Sequence, residues 1–285
     1  MVATADPSNP AASTLLSESG TQESRHNVTF EVTYDFASGA FPANTYREVI
    51  RDQPVVRQHP VRDIGFNPFA QPGDEDYGLL YIVHGDGDAN NAAINNQAGQ
   101  LNNGSGKLLR VDPLQAANGD AYTIPPSNPF VGDASLLDEI YALGLRNEHT
   151  MSFVENAAGE SFPLLTGIGF SNIDEVNLVT SGANLGWSLR EGHFLSAQND
   201  QNVHSLSPLP ANEWQEGLTY PVSFVAHDAA VGQAGDVGQA LAGGHVIANG
   251  SALDGLHVFA DFSRSSRAFT ISACLLYTSP SPRDS

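Results

Sequence analysis

A net charge of −20 over 285 residues, with one lysine (Lys107) against eleven arginines, leaves no cationic footprint for a nucleic-acid backbone. The length suffices to bury one full core, and 27 glycines and 17 prolines without a sustained helical period imply many turns between short strands. No run reaches the roughly 18 apolar residues of a membrane span, and so acidic a surface suits a saline or extracellular setting.

Residues 1–26 are rich in Ser, Ala, Thr, Asn and Pro and are expected to be a mobile N-terminal segment. HNVTFEVTYDF (26–36) then alternates Val28, Phe30, Val32 and Tyr34 on one face, the period of a strand. A second strand, YREVIR (46–51), leads into VVRQHPVRDIGFNP (55–68). Asn27-Val28-Thr29 and Asn103-Gly104-Ser105 match the glycosylation triplet, which is frequent by chance. The turn signal Pro72-Gly73-Asp74 precedes an apolar strand, Leu79–Val83, that ends at His84-Gly85-Asp86-Gly87-Asp88. Such an acidic, glycine-rich run suits a calcium loop, a polar-ligand site or a solvated turn. A polar loop (92–106), the strand KLLRVDP (107–113) and a proline-punctuated extended segment (118–133) follow.

The stretch 139–194 holds the densest chemistry. EIYALGLRNEH (139–149) is an apolar strand ending in Arg146-Asn147, LLTGIGFSNIDEVNLV (164–179) is β-rich with a glycine turn, and SGANLGWSLREGHF (181–194) is a compact loop. An Arg-Asn pair beside a carbonyl-presenting turn can hold an anionic ligand and a hard cation, or Arg146 can simply tie two loops together. A turn followed by a short apolar strand recurs at GLLYIVHGD (78–86), ESFPLLTGIG (160–169) and DGLHVFADF (254–262). Repetition of small antiparallel sheets predicts a β-propeller, with a β-sandwich as the alternative.

Other features carry less. His84, His149, His193, His204, His227, His245 and His257 show no short metal-ligand spacing and are expected to be surface or strand histidines, with His227-Asp228 structural. No phosphate loop and no serine nucleophile elbow is present. The single cysteine, Cys274, lies in CLLYTSPSPRDS (274–285), which resembles translated sequencing-adapter read-through and is set aside. The natural chain is then expected to continue past about Ala273.

HPVRDIGFNP, DYGLLYIVHGDGD, GKLLRVDP, NGDAYTIPPSNPF, EIYALGLRN, IDEVNLVTSGANLGW and REGHF, in this order over roughly residues 55–272, resemble the glucose/sorbosone dehydrogenase family. That resemblance implies an all-β, six-bladed propeller of four-stranded antiparallel blades. Residues 27–273 are expected to form it incompletely, lacking the first blade and the closing strands. It implies oxidation of a sugar or polyol hydroxyl by hydride transfer to pyrroloquinoline quinone with calcium support, an external electron acceptor, and a periplasmic or secreted location. It further implies His59 as the general base, Asp86 as its partner, and Arg146 and Asn147 as contacts to the quinone. Asn91 and Trp187 become further cofactor contacts, with Asn184 and Trp187 shaping the pocket wall, and the backbone carbonyls of Gly169 and Phe170 become the calcium ligands. GIGFSN departs from the family in lacking an acidic or Gln residue before Ser171. GGHVIANG (243–250) offers Ala248 and Asn249 where many relatives carry a cation, leaving Arg146 as the cation that can be named. The alternative is a non-catalytic propeller that binds a protein or glycan partner, as in hedgehog-interacting proteins.

Overall fold

The computed structural model describes residues 26–52, 59–87, 103–170, 172–198, 204–208, 217–227, 240–247, 252–261 and 268–272. Residues 1–25 and the 274–285 tail lie outside the described residues. The strands that set the architecture are those buried on both faces, their polar residues His84, Lys107 and Arg110 included. β4 (Leu80–His84), β5 (Lys107–Val111) and β6 (Ile140–Leu143) are buried along their whole length. A strand so buried must lie between two packed layers rather than on one half-solvated face.

Those layers are antiparallel sheets stacked face to face. β3 (Val61–Phe66), β4, β5 and β6 form a four-stranded meander, and β1 (Asn27–Glu31) pairs with β2 (Arg47–Asp52) in a ribbon beside it. The next sheet has the order β13-β9-β8-β7, from β7 (Glu148–Glu155), β8 (Ser161–Gly167), β9 (Ile173–Leu178) and β13 (Ser223–Ala226). Between β9 and β13 the chain makes a small sheet of β10 (Arg190–Glu191), β11 (Phe194–Gln198) and β12 (His204–Pro208). β14 (Leu241–Val246), β15 (Leu256–Asp261) and β16 (Ala268–Ser272) form the last sheet. Among the described residues there is no α-helix, only one 3-10 turn at Ala43–Thr45.

The two faces of the first four-stranded sheet fill different cores. Ile82, Leu80, Leu109, Val111 and Ile140 meet Ile50 of β2 on one side. Tyr81, Val83 and Leu108 meet Met151, Phe153 and Leu165 of the next sheet on the other. That sheet in turn packs Val154, Leu164 and Val176 against Leu241 and Phe259 of the last sheet. Each buried Leu, Ile, Val or Phe contributes about 1.5–3 kcal/mol by leaving water, so the layered stack carries the stability. The alternation Tyr81/Ile82/Val83 fixes register, because a one-residue slip would send each side chain to the wrong layer.

Five of these pairings contain a bulge: at Val49 in β2, at Arg62 in β3, at Tyr141 in β6, at His149 in β7 and at Gly243 in β14. Two of these extra residues, Arg62 and His149, lie at the site described next.

Candidate active site

Gly85 and Asp86 follow the buried end of β4, and the residue that packs on them is His59, just ahead of β3. The contact is tight: a Cβ on Gly85 would meet the His59 carbonyl oxygen at 2.6 Å and the His59 Cβ at 2.7 Å. Only glycine fits there. His59 itself holds φ at +44°, among the described non-glycine residues the one case of positive φ. A histidine in this region is strained unless its surroundings hold it.

What holds it is Asp86. His59 Nδ1 lies 2.5 Å from Asp86 Oδ1, and Trp187 Nε1–H donates to Asp86 Oδ2 at 2.8 Å. The Asp86 N–H donates to the Arg146 carbonyl at 2.7 Å. Asp86 is 2% exposed, so this carboxylate is removed from water and met by an imidazole and an indole. With Nδ1 facing the carboxylate, Nε2 is left as the basic nitrogen of the ring.

The Arg146 side chain runs to the second element of the site. Its Nη1 donates to the Ile168 carbonyl at 3.0 Å and the Gly169 carbonyl at 2.7 Å. Its guanidinium carbon lies 5.2 Å from the Phe170 ring centroid and 5.4 Å from that of Trp187, two rings stacked at an 18° interplanar angle. The turn that presents these carbonyls is built from outside itself. Glu191 Oε1 accepts from the N–H groups of Phe170 (2.9 Å), Asn172 (3.1 Å) and Ile173 (3.1 Å). Asp174 Oδ1 accepts from Gly169 N–H at 2.9 Å and lies 2.8 Å from His227 Nε2. The acidic support that GIGFSN lacks in its own sequence therefore arrives from β9 and β10. Gly169 is obligatory as well, since a Cβ there would overlap the Ile173 carbonyl oxygen.

Beside Arg146 lies a small cavity of about 20 Å³, room for one water, lined in part by Glu148, Glu175 and Glu191. Glu148 Oε2 is buried without a partner. Burial first, and the nearby Glu175 second, push Glu148 up to about 8. Burial likewise pushes Glu175 up to about 7, against hydrogen bonds from Asn177 and the Gly192 backbone.

Of the residues singled out in the sequence, His59, Asp86, Arg146, Asn147, Gly169, Phe170 and Trp187 are brought together here. Asn147 joins through Arg62, whose Nε–H donates to its Oδ1 at 2.9 Å. Phe170 contributes its ring, while Asn184 caps its own loop by accepting from Gly186 N–H at 3.0 Å. Asn91 lies outside the described residues, as do Ser171, Ala248 and Asn249. Three residues of the site went unread in the sequence, Arg62, Glu148 and Glu191, and His149 was expected only as a surface or strand histidine. His149 is no bystander on its strand: burial, then Arg62 and His59, lower it to about 4, so it is neutral at pH 7. His84 is fully buried, its Nε2 2.5 Å from Asp52 Oδ2, and clamps β4 to β2 rather than entering the site.

The donor set suits both groups that the family resemblance implied. Neutral carbonyl oxygens converging on one position suit a hard cation, although Arg146 Nη1 takes that position in this structure. The parallel rings of Phe170 and Trp187 with a guanidinium beside them suit a flat anion.

Residues 42–231 match the family described as Glucose / Sorbosone dehydrogenase. The chain is 32% identical over 164 residues to the HIPL2 protein of Arabidopsis thaliana, a match covering 53% of this chain and 22% of that protein. Its fold is similar to a crystal structure of glucose dehydrogenase, with a TM-score of 0.61 at 18% identity over 90% of this chain and 62% of the other. It is also similar to the PQQ-bound form of aldose sugar dehydrogenase from Streptomyces coelicolor, with a TM-score of 0.51 at 18% identity over 86% of this chain and 62% of that one. The chain thus spans less than two thirds of each of these relatives.

Proposed function

The chain belongs to the glucose/sorbosone dehydrogenase family, and from that premise we propose that it is part of a quinoprotein dehydrogenase oxidising a sugar or polyol hydroxyl. The stacked sheets are then blades of a six-bladed propeller, incomplete in this chain, and the location is periplasmic or secreted. One observation carries the reading: a His59–Asp86–Trp187 chain stands next to an arginine seated on the Ile168–Gly169 carbonyls.

In this reading His59 Nε2 takes the proton of the substrate hydroxyl, and Asp86 fixes the ring and stabilises the imidazolium that results. Trp187 holds Asp86 in place and walls off water. Arg146 and Asn147 would hold the polar edge of the cofactor, and the Gly169 and Phe170 carbonyls would ligate calcium, the first of them now accepting from Arg146 Nη1. Pyrroloquinoline quinone, when bound, would supply the acceptor for the hydride that leaves the carbon bearing that hydroxyl, with calcium polarising the quinone and an external acceptor collecting the electrons.

The test is dye reduction by the chain supplied with the quinone and calcium across a panel of sugars and polyols. His59→Ala is expected to abolish turnover while leaving the fold intact, and unchanged turnover removes His59 from the mechanism. A second reading, a non-catalytic module binding a protein or glycan, is favoured by one feature: Arg146 already fills the position of the cation. Calcium and quinone that fail to bind wild-type protein would select it.

A further inference from the structure

The two ends of an asparagine amide have the same outline and opposite chemistry: Oδ1 only accepts a hydrogen bond and Nδ2 only donates. Asn147 is buried and its backbone is pinned, its carbonyl accepting from Ile168 N–H at 3.0 Å. Its side chain stands between two residues that bulges turn out of the strand alternation. In β3, Val61 pairs with His84 and Asp63 with Val83, so Arg62 is the extra residue. In β7, Glu148 pairs with Gly167 and Thr150 with Thr166, so His149 is the extra residue. Arg62 Nε–H donates to Asn147 Oδ1 at 2.9 Å, and Asn147 Nδ2 lies 3.3 Å from His149 Nε2.

We propose that Arg62 and His149 are positioning residues that hold the Asn147 amide in one orientation, so that Asn147 meets the bound ligand as a donor, through its second Nδ2–H, and never as an acceptor. The quinoprotein reading supplies the ligand; the lock on the amide stands without it.

The orientation follows from counting donors and acceptors. A guanidinium carries N–H groups and no acceptor. Turned over, the amide would set Nδ2 against Arg62, donor to donor, and the bond would be lost. Neither neighbour of Arg62 on β3 could replace it, since Val61 has no polar side-chain atom and an ionised Asp63 only accepts. With Oδ1 on Arg62, Nδ2 faces His149, and that contact is a hydrogen bond only when His149 Nε2 carries no proton. His149 is therefore the neutral ring protonated at Nδ1. Burial first, then Arg62 and His59, favour that neutral form. The group such a lock serves is an oxygen acceptor, a carbonyl or carboxylate of the ligand.

Two readouts test the lock and its use separately. In the isotope-labelled nitrogen spectrum of the wild-type protein at pH 7, His149, assigned by its loss in His149→Gln, is expected to be the Nδ1–H tautomer. A ring protonated at Nε2 overturns the inference. The second readout is a double-mutant cycle on the affinity for pyrroloquinoline quinone, followed by its absorption without turnover. Arg62→Met is expected to weaken binding about tenfold, the scale of one hydrogen bond. Arg62→Lys, which keeps a donor, is expected to fall between and serves if the Met variant melts early. On an Asn147→Ala background the same Arg62 substitution is expected to change nothing further, because Arg62 acts through the amide. Equal losses on both backgrounds, or unchanged affinity in the Arg62 variants, overturn the inference and leave the quinoprotein reading standing. A wild type that shows the Nδ1–H tautomer but binds no quinone supports the lock and overturns that reading.

Discussion

Trp187 and Asp86 are 101 residues apart in the chain, and the indole Nε1–H of one lies 2.8 Å from the carboxylate of the other. The bond joins the loop ahead of β10 to the end of β4 and fixes the carboxylate on which His59 leans. Trp187→Phe keeps the stacking on Phe170 but leaves a buried carboxylate oxygen short of a donor, at a cost of about 1–3 kcal/mol. Thermal melting is expected to show a drop of several degrees, and turnover in the quinone assay is expected to fall about tenfold as Asp86 loosens. An unchanged melt would mean that the indole bond is immaterial.

Gly85 is expected to be intolerant for a steric reason. Gly85→Ala drives a methyl group into the His59 backbone and costs about 1–3 kcal/mol as overpacking. Gly159→Ala is the comparison, because Gly159 has φ of +80° but nothing within 4 Å of the added Cβ. Its cost is conformational, about 1 kcal/mol. Denaturant melts that rank Gly159→Ala as the worse of the two would contradict the packing of His59 on Gly85.

The cavity carboxyls set the alkaline side of the stability profile. Glu148 and Glu175 have folded values raised to about 8 and about 7 from 4.5, so above pH 4.5 the folded state holds protons that the unfolded state has lost. Their contribution is fully present below pH 4.5 and is lost as pH rises through 7 and 8. Glu148→Gln, which mimics the protonated form, is expected to flatten the decline between pH 5 and 8 and to stabilise the protein at pH 8.5. A steeper decline in the variant would show that Glu148 is ionised in the fold.

His257 acts in the opposite direction. It lies fully buried on β15 with neither ring nitrogen partnered, and burial first and His245 second lower it to about 4. The unfolded chain takes up a proton near pH 6.5 that the folded chain refuses, so this contribution is present above pH 6.5 and is lost as pH falls towards 4. His257→Leu is expected to remove that part of the acid limb, read from urea melts at pH 4.5 and 7.5. Equal acid sensitivity in both proteins would place the imidazole in contact with water.

The class of the fold was legible because buried strands have little freedom in composition: LLYIVH and KLLRV admit few other structures. The catalytic candidates were legible as family motifs. Arg62 and His149 were not, because a bulge is a property of pairing and no local pattern in HPVRD or RNEH announces which residue will be left over. Glu191 was hidden for a related reason, since a carboxylate that caps a turn 20 residues upstream has no fixed spacing from it. Of the two readings of Arg146, the tie between loops is the one seen, its Nη1 donating to the Ile168 and Gly169 carbonyls.

The small β10–β12 sheet has a consequence for the order in which a newly made chain acquires its site. β13 closes on β9 only after the whole of that excursion, so the second four-stranded sheet cannot be finished when β9 leaves the ribosome. Long loops delay the contacts that depend on them. His59 and Asp86 are therefore in place early, on a sheet complete at Leu143, and wait for an indole made some forty residues later. A nascent chain halted before Trp187 would carry the histidine and its aspartate but not the third member that steadies them.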